Sequence, residues 1–355
     1  MVFNNGVWAI QKLRSTIPED PFEVLVDGKS MGTTKLLAIA RRVPNTERFP
    51  QVLVLYASGY LRLKAGADPT PPLPFGQSLV LGPAIWGTST SLPNTTLFFH
   101  PQLQRVAIDT SCVHRGGTNR LLIQMTGANS KLSPDRTTIN RIMNLAWTLT
   151  LAEPTDRATV LDVAGTFELT DDVMPDRART AAAESVRLLQ ISTMFIDSLR
   201  HDVDALRFRN AEGVVTLGYH PDLANVLLPV TPSALDPATR MFDSLHTDAV
   251  GQPNGNTPSY RITLDSTRGP TTGPMTIRAF FNRSQNLNDD NLWLGVFQQP
   301  PERIAKGTTG SIHYTVIAST GPLSASDFAP AKAGQRSHDQ NSDCETATTG
   351  QGGHF

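Results

Sequence analysis

Between Pro21 and about Pro101 the chain is a succession of short apolar runs interrupted by turn residues: FEVLVDG, QVLVLYASGYLRLKAG, QSLVLGPAIWG and TTLFFHP. Runs of this length, rich in Val, Leu and Phe and closed by Gly, Pro or Asp, predict strands. Between the first two, GTTKLLAIARRV predicts a short helix capped by Thr34, with Leu36, Leu37, Ile39 and Ala40 on its apolar side. A strand, a helix and then several strands make an α+β layout the expectation.

After Gly116 and Gly117 the apolar period changes. TNRLLIQMTG and SPDRTTINRIMNLAWTLTLA predict helices, the second with Ser133 as N-cap and Ile139, Ile142, Met143 and Leu145 on one face. The longest helix is expected after Pro175, in DRARTAAAESVRLLQISTMFIDSLRHDVDALRF, with apolar residues at Ala182, Val186, Leu189, Ile196 and Leu199. Beyond Gly213 the texture returns to strands and turns. YRITLDS, MTIRAFF, NLWLGVF and SIHYTVIAS predict four short strands of a small added sheet. From about Gly321 the sequence is polar and almost free of aliphatic residues, which predicts a disordered tail.

Composition narrows the function classes. A length of 355 residues favours about two domains. Lys plus Arg number 31 against 32 Asp plus Glu, a formal net charge of −1, so the global basic excess of many nucleic-acid binders is absent. Any such binding rests on a local patch. The two cysteines, Cys112 and Cys344, rule out a disulfide framework. Lys12 and Arg14 interrupt the N-terminus before a leader-length apolar run can build, yet a cytoplasmic and a secreted location both stay open. Apolar runs such as Val52–Ala57 are far shorter than the roughly 20 residues a membrane-spanning helix needs.

Glu184 and Arg187 stand three apart, which on a helix sets a carboxylate and a guanidinium on one face. On spacing alone this is a solvated ion pair contributing roughly 0.2–0.5 kcal/mol. The surrounding AAAESVRLLQI is small or apolar, however, and a buried pair calls for a reason.

The segment AESVRLLQI, with Glu184, Arg187, Gln190 and Ile191, resembles the catalytic helix of ribosome-inactivating proteins, the group of the ricin A chain and the Shiga toxin A subunit. SLVLGPAIWGTSTSLPNTTLFFHP resembles that family's strand bearing a first active-site aromatic, here Trp86, and its aromatic-aromatic-His-Pro turn at Phe98, Phe99, His100 and Pro101. GGTNRLLIQMTG resembles its Gly-Gly loop and following helix, TINRIMNLAW the next helix, and VTLGYHPDL the segment carrying its active-site Trp. The resemblance covers about residues 21 to 250. It implies the ribosome-inactivating-protein fold, with an N-terminal mixed sheet and a central helical region, over residues 1–250. A β-rich extension over 251–320 and a tail over 321–355 would follow.

The activity the resemblance implies is an rRNA N-glycosidase. Such a plant-defence toxin removes one adenine from the sarcin-ricin loop of large-subunit rRNA, inhibits protein synthesis, acts on ribosomes as a monomer, and needs no cofactor or metal. By this likeness Glu184 stabilises an oxocarbenium-like ribose and activates water, while Arg187 supports the departing adenine and keeps Glu184 ionised. Trp86 stands where the family stacks the flipped base on its first Tyr. Gly117 and Asn119 would line the pocket, although Thr118 and Asn119 supply no second aromatic. Tyr219 and His220 replace the family's Trp. His100 would fix a turn, and His114, Arg115, Arg120 and Lys131 are candidate phosphate contacts. These departures motivate a second function class, a catalytically silent binding or interaction protein.

Overall fold

The computed structural model describes residues 1–16, 19–42, 47, 51–57, 59–63, 78–82, 86–89, 97–98, 100–110, 120–132, 139–155, 158–170, 172–174, 189–199, 204–210, 213–218, 227–228, 241–246, 259–268, 275–282, 290–298 and 305–319. Every regular element among them is a strand. The α+β expectation is therefore overturned, together with the central helical region that the resemblance implied. No helix of the described residues is long and apolar enough to cross a membrane.

A ten-stranded sheet runs, in spatial order, through β1 (Phe3–Asn4), β2 (Trp8–Lys12), β5 (Leu36–Arg41), β6 (Gln51–Tyr56) and β7 (Leu61–Leu63). It continues through β8 (Ser78–Gly82), β16 (Leu189–Leu199), β23 (Asp290–Gln298), β22 (Met275–Asn282) and β19 (Leu227–Leu228). An eleven-stranded sheet begins with β18 (Gly213–Gly218), β17 (Asp204–Asn210), β20 (Met241–His246), β21 (Ser259–Arg268) and β24 (Thr309–Ser319). It proceeds through β14 (Ala158–Leu169), β13 (Ile139–Thr155), β12 (Arg120–Leu132) and β11 (His100–Asp109) to β3 (Phe22–Val26) and β4 (Lys29–Thr34). A small third sheet joins β10 (Leu97–Phe98), β9 (Trp86–Ser89) and β15 (Val173–Met174). Pairings are antiparallel except that β3 lies parallel to β11, next to which the chain returns after its excursion through β5 to β8. The four strands expected after residue 250 are present and are shared between both large sheets, β24 between β14 and β21, and β22 and β23 beside β16.

The helix expected in TNRLLIQMTG is the strand β12, held between β11 and β13, and two further displaced helices have a physical reason. In β13 the stretch Leu145, Trp147, Leu149 and Leu151 is buried while Asn144, Ala146 and Thr148 are exposed, a period of two. That alternation outweighs the helix-like spacing of Ile139, Ile142 and Met143 a few residues earlier. In β5 the run Leu37–Ala40 is buried throughout, so residues on both of its faces are covered. A short apolar run of this kind carries no periodicity that separates strand from helix. Thr34 caps no helix. Its hydroxyl donates to the Leu36 carbonyl at 3.0 Å and accepts from the Leu36 N–H at 3.3 Å, turning β4 into β5. The helix expected beyond Pro175 is replaced, from Leu189 onward, by β16 and β17.

The two large sheets adjoin near their N-terminal strands. The Leu103 N–H of β11 donates to the Ala57 carbonyl just past β6 at 2.8 Å, and Lys12 of β2 donates through Nζ to the Met31 carbonyl of β4. Beside this junction Tyr60 is partly buried, and burial pushes its phenol above the ordinary tyrosine value. A raised pKa favours the protonated form in the fold, so its contribution is complete below the unfolded value of about 10 and is lost as pH rises above it. Urea melts of the parent and Tyr60→Phe between pH 8 and pH 11 should show a steeper alkaline loss of stability in the parent. Equal slopes would overturn that assignment.

Candidate ligand-binding face

The strict alternation of β14 sets Thr159, Leu161, Val163, Phe167 and Leu169 toward the core and Asp162, Ala164, Thr166 and Glu168 to the outer face. Pairing in register carries this outward row to both neighbours. Thr150, Asp162 and Thr315 lie side by side on β13, β14 and β24, followed by Thr148, Ala164 and His313. Next come Ala146, Thr166 and Ser311, then Asn144, Glu168 and Thr309. Directly opposed residues of antiparallel strands share a face, so these twelve positions form one polar surface three strands wide.

One end of this surface is concave. An open depression of about 550 Å³ is lined by Asn144, Ala146, Thr166, Glu168, Thr309 and Ser311, with Leu145, Phe167 and Gly310 beneath. Ala146 keeps its middle row low. The side chains of Asn144, Glu168, Thr309 and Ser311 make no hydrogen bond or ion pair among the described residues.

At the other end Asp162 is held by two donors. Its Oδ1 accepts from His313 Nε2 at 2.9 Å and from the Thr315 hydroxyl at 3.1 Å. An ionised carboxylate only accepts, so Nε2 carries a proton here whether the imidazole is neutral or charged. Past β24 the face closes, for Arg261 on β21, in register with Ile317, is only 6% exposed. In the opposite direction the sheet surface carries Arg105 of β11, paired with Glu23 of β3 at 3.0 Å.

The residues singled out from the sequence are distributed differently. Glu184, Arg187, Gly117, Asn119, Tyr219 and His220 lie outside the described residues. Trp86 opens β9, in register with Phe98 of β10. His100 opens β11, opposite Ser130, and Arg120 and Lys131 belong to β12. Sequence reasoning passed over Asp162, Glu168, His313 and Thr315. The available signal was the alternation in TVLDVAGTFEL, which marks Asp162 and Glu168 as outward strand residues but says nothing of what lies beside them.

Among the described residues no group of three or more His, Cys, Asp or Glu could hold a metal ion. No protein-family model matches the chain, and no curated protein matches it. Among solved structures the chain is similar to the galactosidase domain of an alpha-galactosidase-sucrose kinase, AgaSK, with 12% identity and a TM-score of 0.34. That match covers 82% of this chain and 40% of the other, so the chain spans well under half of that neighbour's length. A likeness at this level defines no chemistry for the face described above.

Proposed function

We propose that the protein acts by recognition, holding a polar ligand on the outer face of β13, β14 and β24. The observation that carries this reading is the set of uncommitted hydrogen-bonding groups, Asn144, Glu168, Thr309 and Ser311, arranged around one depression on a rigid strand platform. The sheet fixes the backbone of these positions, so binding has only their side-chain rotamers left to order.

The neighbouring cluster does not have the geometry of nucleophilic catalysis. There a histidine stands between hydroxyl and carboxylate, taking the proton of one and being oriented by the other. Here His313 and the Thr315 hydroxyl both donate to the same oxygen of Asp162, so within this cluster the imidazole does not stand between hydroxyl and carboxylate.

Depurination of rRNA by Glu184 and Arg187 is the competing reading, carried by the family resemblance. The helix expected to set those two residues one turn apart gives way to strand from Leu189. Incubating the chain with ribosomes and cleaving the rRNA with aniline separates the two readings. We expect no diagnostic fragment. A fragment that Glu184→Ala abolishes would overturn the recognition reading in favour of the enzyme.

A further inference from the structure

We infer that the ligand of this face is a neutral, hydroxyl-rich chain of the oligosaccharide class; the inference rests on the recognition reading above and names its ligand. The lining settles the sign of charge first. Among the described residues neither Lys nor Arg lines the depression and the Glu168 carboxylate does, so the charge of phosphate, sulfate and nucleic-acid backbones is opposed there and not neutralised. A cation finds little more. One oxygen of Asp162 already serves His313 and Thr315 and Glu168 stands three outward rows away, so the two carboxylates of the twelve-residue surface do not converge on one cation, and an exposed ion pair contributes little. An apolar ligand is excluded by the direction of Leu145 and Phe167, each 7% exposed and turned to the core.

Hydroxyl-rich ligands fit what remains. A sugar hydroxyl both donates and accepts, and so do Asn144, Thr309 and Ser311, while the Glu168 carboxylate has two oxygens with which to receive adjacent hydroxyls. The spacing suits a repeating chain. Rows of outward side chains recur about every 7 Å along the strands and about every 5 Å across them, so the surface from the Asn144 row to the Thr150 row is roughly 20 Å long. Its openness admits an extended chain lying across the strands' outward rows, with no need to enclose a compact molecule.

The test uses the full chain, calorimetry and hydrogen exchange, with three kinds of probe: neutral hexasaccharides of glucose, mannose, galactose and N-acetylglucosamine, spermidine, and inorganic phosphate. We expect at least one hexasaccharide to bind and to slow exchange in residues 141–150, 162–169 and 309–315. Glu168→Ala should then weaken binding about tenfold or more, since a hydrogen bond to a charged group is lost. Ser311→Ala should weaken it less, and Arg105→Ala, on the same sheet face but at β11, should leave it unchanged. Melting curves on each variant verify folding. Binding of spermidine or phosphate with the same protection, and of no saccharide, would overturn the ligand class while leaving the site in place. Absence of protection on these strands with every probe would overturn the recognition reading itself.

Discussion

Gly165→Ala is expected to destabilise the protein by about 1–3 kcal/mol, although it adds a single methyl group. Gly165 lies opposite Trp147 in the β13–β14 ladder, on the core side. A Cβ at Gly165 would stand 2.6 Å from the indole Nε1 and 2.9 Å from two ring carbons. Trp147 is 4% exposed and hemmed by the core, so the ring cannot step aside without disturbing its neighbours. The reverse truncation, Trp147→Ala, should cost about 3–5 kcal/mol through the cavity it leaves. The two changes should not add. With the indole gone, the Gly165 methyl meets open space and a strand gains from replacing glycine, so Gly165→Ala should be neutral or mildly stabilising in the Trp147→Ala background. Urea denaturation of all four proteins, followed by far-ultraviolet circular dichroism, measures the cycle. Additive effects would show that the glycine is not there to make room for the ring.

The second large effect is expected at Asp27. The hairpin joining β3 to β4 is a two-residue Asp-Gly turn in which both residues have positive φ, 48° and 76°, as a type I′ turn requires. Asp27 also pins the end of β11 beside it. Its Oδ1 accepts from the Thr110 N–H at 2.8 Å, its Oδ2 from the Thr110 hydroxyl at 2.7 Å, and its own N–H donates to the Ile108 carbonyl at 2.9 Å. Asp27→Ala removes both side-chain acceptors and places a residue with little tolerance for positive φ in the turn. The expected loss is about 2–3 kcal/mol. Asp27→Asn keeps the turn preference and one acceptor, so it should lose about half as much. Chemical denaturation of the two variants checks the order, and an equal loss would mean that the turn conformation contributes little.

The turn is also a place where the sequence was legible. FEVLVDG ends its apolar run on a dipeptide whose conformational preference is local, and the structure puts a hairpin there. QVLVLY and the four runs after residue 250 were readable for the same reason, being strand-length and closed by turn residues. LLAIAR was not, because a strand covered on both faces shows no alternation. INRIMNLAWTLTLAEPT contains two periods in succession, and the helical one comes first. Tertiary pairing with β12 and β14 selects the second and extends it over the whole segment.

The candidate site was less legible than the fold. Asp162 and His313 are separated by 151 residues and meet because β14 and β24 are neighbours in one sheet. Glu168, Asn144 and Ser311 come together in the same way, from three strands that no local pattern links. The motif that did attract notice, Glu184 with Arg187, drew its meaning from a helix, and the pair lies outside the described residues, which resume at Leu189 in a strand.

What the sequence determined by itself is the local grammar: where apolar runs begin and end, that Asp-Gly closes the first of them, and which residues of TVLDVAGTFEL face outward once it is a strand. What only the tertiary structure decided is that those runs are strands throughout the described residues, and which strands lie side by side. The reason is the range of the backbone hydrogen bond. A helix satisfies its N–H and C=O groups within four residues, so its signal is local, whereas a strand must find a partner elsewhere in the chain. In β14 and β24 that partner lies about 150 residues away, and the polar face they share exists only once they have paired.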